Sequence, residues 1–204
     1  MRRALALIPV IGLLLVLAAP VAADTSKPIS GTYKSTSSVS LDCVPQGART
    51  TCTQTSVDVY TDVPPLVVVC VNVDTFTYSD RTGRGRFISN ENGCSDPIDG
   101  SALAITVSRD QMTASLAPTA VTLFECDRRA CSETRTVVVA TSDTGGPVTA
   151  TVSRNFYRDG TCTYRYSESA LSAEVAGTLT LDDVTMPESG YAQLSDVKVT
   201  ETCK

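Results

Sequence analysis

The chain is 204 residues long, with 17 Lys and Arg against 22 Asp and Glu, a formal net charge of −5, eight cysteines, no histidine and no tryptophan. Without histidine there is no Ser-His-Asp or Cys-His nucleophile pair, no imidazole base and no histidine-bearing zinc, copper or non-haem iron site, so any catalysis falls to carboxylates, lysines, tyrosines or backbone groups. An acidic balance also disfavours nucleic acid, other polyanions and anionic lipid as partners.

Residues 1–23 read as a secretory signal peptide: Arg2 and Arg3 form the charged start, residues 5–17 the apolar stretch, and Val21, Ala22 and Ala23 the small-residue cleavage site. The apolar run falls short of the roughly 20 residues a spanning helix needs, so no membrane insertion is expected after cleavage. The remaining chain starts at Asp24, loses two arginines and becomes more acidic. The expected setting is secreted and extracellular, and the Ala/Thr/Val-rich composition suggests a bacterial source. In such an oxidising compartment an even number of cysteines reads as disulfides, and thiolate metal binding lacks its usual spacing.

From residue 24 on, apolar and polar residues alternate with period 2, rich in Val, Thr and Tyr and broken by Pro, Gly and Asp about every ten residues; this predicts short antiparallel strands throughout. A helical turn is expected only near residues 167–174. The first strand carries Val39 and Leu41 into Cys43, and Cys52-Thr-Gln-Thr opens the next. After Pro64 and Pro65, Val67, Val69, Val71 and Val73 share one face, which should be core. Cys70 then faces outward with Val68 and Asn72 and is expected to staple a covering loop near residues 90–94.

A hairpin between Phe76 and Phe87 carries Arg81, Arg84 and Arg86 on its tip. Three arginines on an acidic protein suit an acidic partner or a protease-reactive loop; a solvated turn whose charges blunt an edge explains them equally. Residues 90–100 are rich in oxygen donors, and Asn90, Asn92, Asp96 and Asp99 are candidate calcium ligands. They lack the regular spacing of a helix-loop-helix calcium loop, and turn formation accounts for the same composition. No other cofactor is expected.

The strand with Val121 and Leu123 runs into Cys126, and Cys131-Ser-Glu-Thr opens its partner. Past Gly145, Gly146 and Pro147, a second aromatic hairpin holds Tyr157, Tyr164 and Tyr166 beside Arg158 and Arg165, a candidate platform for a sugar or peptide. Cross-strand aromatic pairs that merely stabilise a sheet are the alternative, and no tryptophan is present to stack on a sugar. The last strand alternates Val197, Lys198 and Val199 before Cys203, which puts Lys198 on the solvent face.

The two strand-Cys-loop-Cys-strand stretches, the valine strands after each turn, the two aromatic hairpins and the repeated Ser-Ala-Leu at Ser101 and Ser169 share one order. This predicts a duplication, with related halves at residues 24–117 and 118–204, packed together or as one continuous sandwich. Two unrelated meanders of similar composition would give some of the same matches. The favoured disulfides are Cys43 with Cys52 and Cys126 with Cys131 as short staples, and Cys70 with Cys94 and Cys162 with Cys203 as longer ones. The two short staples and their flanking strands resemble the neocarzinostatin-type apoproteins, secreted immunoglobulin-like sandwiches that carry an apolar chromophore. That resemblance implies a sandwich and a carrier role, and it transfers no pocket residue.

The expected fold is therefore an all-β, disulfide-stapled antiparallel sandwich, immunoglobulin-like in general architecture. The expected role is a secreted, non-catalytic binding or interaction module whose ligand is a protein, a glycan or a small molecule. The rival readings are a small-molecule carrier, a secreted protease inhibitor and a hydrolase built on paired carboxylates.

Overall fold

The computed structural model describes residues 29–204 except residue 145, and of Asp143 and Thr144 it describes the backbone alone. The leader segment at residues 1–23 lies outside the described residues. Ten strands follow in order: β1 (Gly31–Gln46), β2 (Arg49–Thr61), β3 (Val67–Ser79), β4 (Gly85–Cys94), β5 (Leu103–Ser108), β6 (Gln111–Cys126), β7 (Arg129–Thr144), β8 (Thr149–Asp159), β9 (Cys162–Leu181) and β10 (Val184–Cys203). One 3-10 turn at Gly100–Ala102 interrupts them, capped by Asp99, which accepts the Ser101 N–H (2.7 Å). The expected all-β, antiparallel, disulfide-stapled fold is what forms.

The alternation in the sequence explains the strands. In β3, Val67, Val69 and Val71 are buried, and Val69 and Val71 lie opposite the buried Val59 and Val57 of β2. Burial of this kind stabilises by about 25 cal/mol per Å² of apolar surface. Leu116, Val121, Val137, Val139 and Leu179 from β6, β7 and β9 complete the same core. A smaller cluster joins Met112, Ala114, Ala173, Val175 and Ala192. On β1 the inward positions are instead Thr36, Ser38 and Ser40, so hydroxyls line part of the interior.

The ladder closes on itself. It runs β10–β1–β2–β3–β4–β6–β7–β9, and β9 pairs again with β10 along its whole length. Beside this circuit, β5 pairs with β6 and β8 pairs with β9. Two glycines permit the tight approach at the closure. A Cβ on Gly177 would lie 2.2 Å from the Ala140 carbonyl oxygen of β7, and one on Gly190 would lie 1.9 Å from that of Ser37 on β1. On the surface, the Arg135 guanidinium of β7 joins Glu91 of β4 (2.8 Å) to Asp182 beyond β9 (3.1 Å). Those carboxylates, Glu91 foremost, raise its pKa further.

The disulfides join Cys43 to Cys52, Cys70 to Cys94, Cys126 to Cys131 and Cys162 to Cys203, the pairs the sequence favours. Two expectations need correction. Cys70 does not staple a covering loop, because residues 90–94 belong to β4 and Cys94 is its direct cross-strand partner. The polar run there forms a strand since its amides are satisfied sideways: the Asn90 side chain donates to Asn72 and Asp74, and that of Asn92 donates to Asn90. The helical turn near residues 167–174 is likewise absent, that segment being mid-β9 and paired with β10.

Beyond the circuit the chain builds a three-stranded wing. β1 reaches β10 only as far as Val197, and β7 pairs with β9 only at residues 175–181. Among the described residues, the remaining parts of β9 and β10, together with all of β8, pair only with one another. The Cys162–Cys203 disulfide closes the outer end of this wing.

Candidate functional site

Antiparallel register assigns the side chains of the wing to two faces. On one face the cross-strand rows are Arg154, Ser167 and Lys198; then Phe156, Arg165 and Thr200; then Arg158, Thr163 and Thr202. Four cations therefore share a patch about three strands wide, with strands roughly 4.8 Å apart and same-face neighbours about 6.7 Å apart along each strand. Phe156, 65% exposed, sits between Arg154 and Arg158 and opposite Arg165. None of the four cations makes an ion pair among the described residues. A groove of about 690 Å³ opens here, walled by Arg154, Phe156, Arg158, Arg165, Lys198 and Thr200, and its wall contains no carboxylate.

The opposite face holds the acids. Tyr164 is buried, stacks on Tyr157 with ring centroids 4.8 Å apart, and donates its hydroxyl to Glu201 (2.6 Å). Tyr166 donates to Glu168 (2.7 Å). Its phenol is pushed up to about 12, first by burial and then by the Glu168 carboxylate, so it stays a neutral donor at physiological pH. Charge is thus sorted across a single sheet, cations to one side and tyrosine-bound glutamates to the other.

The structure places the other predicted residues elsewhere. Tyr157 and Tyr164 pack on each other and so present no flat platform between them. Arg81, Arg84 and Arg86 stand exposed about the β3–β4 turn, whose strands do not pair with the wing. Asn90 and Asn92 join the side-chain ladder of Asn72 and Asp74, while Asp99 caps the 3-10 turn, so these calcium candidates serve separate local bonds. Asp96 lies in the segment between β4 and that turn. Among the described residues, one grouping of three metal-ligand side chains occurs, Cys162, Glu201 and Cys203, and its two sulfurs are bonded to each other. Lys34, among the few lysines, directs its ammonium to the Gly100 and Leu103 carbonyls (3.1 and 2.7 Å).

Reading the sequence for sites misses Arg154, Phe156 and Lys198. The alternation of Arg154, Phe156 and Arg158 is visible in the chain, but their company with Lys198 depends on the β9–β10 register, which no local motif announces. No protein-family model matches the chain, and neither a curated protein nor a solved structure matches it. The neocarzinostatin-type resemblance therefore rests on the two stapled loops alone.

Proposed function

We propose that this protein is an exported, non-catalytic binding module that takes an acidic ligand on the basic face of the β8–β9–β10 wing. One observation carries the reading: four cations without a counter-ion among the described residues converge on a groove in a chain of net charge −5. Unpaired like charges repel each other, and an incoming anion relieves that cost. The exposed Phe156 at its centre gives such a ligand an apolar contact. A hydrolase needs paired acids in a cleft, and the groove wall has none.

Export agrees with four disulfides, which persist in oxidising surroundings, and with the leader-like residues 1–23. Two related halves, residues 24–117 and 118–204, pack as a sandwich and each carries a Cys-stapled hairpin, β1–β2 and β6–β7, with the division between them falling inside β6. The halves have diverged in pairing: among the described residues β3 pairs on both sides, whereas its counterpart β8 pairs with β9 alone.

The test is titration with labelled poly-glutamate at low salt, with polylysine as control. Arg158→Ala with Arg165→Ala should weaken poly-glutamate binding about tenfold or more, since each cation lost removes a charge contact. Arg81→Ala with Arg84→Ala should leave the affinity unchanged. The reverse pattern would move the site to the β3–β4 hairpin and sink the proposal.

A further inference from the structure

β8 has a free edge. Among the described residues it pairs with β9 from Thr149 to Asp159 and with no other strand, and all of its residues are exposed. In an antiparallel pair, alternate residues turn both main-chain groups toward the partner, and the residues between turn theirs away. Phe156 belongs to the second set, because its N–H donates to its neighbour's side chain, Asn155 Oδ1 (2.8 Å). By the same alternation Val152, Arg154 and Arg158 also turn their main-chain groups outward. Side chains follow that period too, so the residues with open donors and acceptors are those that carry the basic face.

Resting on the reading of that face as the binding site, we propose that its ligand is an extended acidic peptide segment that joins β8 as an additional antiparallel strand. The residues opposite Arg154, Phe156 and Arg158 would then exchange main-chain hydrogen bonds with them. Their side chains would stand on the basic face, about 5 Å from their partners, where opposite charges stabilise and like charges do not. Asp or Glu at alternate positions fits the two arginines, and Arg165 and Lys198 behind them extend the positive field across the sheet. A second copy of this chain is a poor occupant, because antiparallel β8–β8 pairing would bring the arginines of both copies together, the usual guard against edge-to-edge association. The Asn155 amide covers the central donor when the edge is empty and swings aside when a strand arrives.

Three labelled ten-residue peptides test this on the full exported chain. The parent has Glu at alternate positions with Thr between. The second is N-methylated on every Glu and the third on every Thr. In antiparallel addition the residues whose side chains meet the arginines are also those whose N–H groups face β8. Methylation of the Glu amides should therefore weaken binding about tenfold or more, and methylation of the Thr amides should not. Asn155→Ala should tighten binding of the parent, and bound parent should slow hydrogen exchange at the amides of Val152, Arg154, Phe156 and Arg158. If both methylated peptides bind like the parent while Arg158→Ala with Arg165→Ala still weakens it, strand addition is wrong and the basic-face reading stands. Polygalacturonate binding more tightly than the peptide at equal charge would overturn the peptide as occupant. If the parent peptide binds without dependence on the wing arginines, or does not bind, both readings fall.

Discussion

Glu188 of β10 is 6% exposed, and neither carboxylate oxygen has a hydrogen-bond donor among the described residues. Its cross-strand partner is Gly177, and Ser38 and Thr36 on β1, Val175 and Leu179 on β9, and Met186 and Ala192 on β10 hold the neighbouring inward positions. None of these is titratable. Burial raises the carboxyl pKa, and the nearby Ser38 hydroxyl offsets this only in part, lying close without forming a well-shaped hydrogen bond. A carboxyl whose folded pKa exceeds its unfolded value makes the native state hold the proton more tightly. Its stabilising effect is therefore complete below the unfolded pKa and is lost as pH rises through the folded one. Glu188→Gln should raise stability at pH 8 by on the order of 1 kcal/mol while changing little at pH 4, since an amide has the carboxylate's shape without its charge and can donate to the nearby Ser38 hydroxyl, which has no partner among the described residues. Urea unfolding at both pH values measures this, and an equal difference at both would mean that the carboxylate is hydrated in the native state.

At the scale of elements, the wing depends on its disulfide. β8 contributes no residue to either core cluster, and the packing on the tyrosine face centres on Tyr157 and Tyr164. The Cys162–Cys203 bond closes a separation of 41 residues, against 5 for Cys126–Cys131. On the chain-entropy account these loops correspond to about 4 and about 2 kcal/mol respectively. Replacing Cys162 and Cys203 together by Ala should thus lower the urea midpoint more than the same change at Cys126 and Cys131, and should also weaken poly-glutamate binding; equal destabilisation with intact binding would show that the wing holds its shape unaided. These hairpins were legible in the sequence because period-2 alternation and turn residues are local signals. The β4 segment at residues 90–94 was not, since its Asn and Glu look like loop residues until their neighbours on β3 and β6 are known. Alternation alone puts Lys198 on the solvent face, where it stands, yet its partners depend on a register set between β9 and β10.

For the whole molecule, the net charge concealed how that charge is arranged. An acidic total argues against anionic partners only when charge is spread evenly, and here one sheet separates four cations from the glutamates behind it. The same division runs through stability. The closed circuit surrounds the larger core cluster, with Val57, Val69, Val137 and Leu179 wholly buried, whereas the wing reaches only the smaller cluster, through Ala173 at the inner end of its β9 segment, and has one open edge among the described residues. Local opening follows buried contacts, so the two parts should open at different free energies. Native-state hydrogen exchange should give the slowest amides at the inward-facing positions of β2, β3 and β7, and faster ones along β8 and residues 162–172 of β9. Reducing the Cys162–Cys203 bond should speed exchange in the wing and leave β2 and β3 nearly unchanged. If β8 instead exchanged at the rate of the circuit and slowed with it on lowering denaturant, the wing and the circuit would form one cooperative unit. Its edge would then be too firmly held to open Asn155 and admit another strand without disturbing the core.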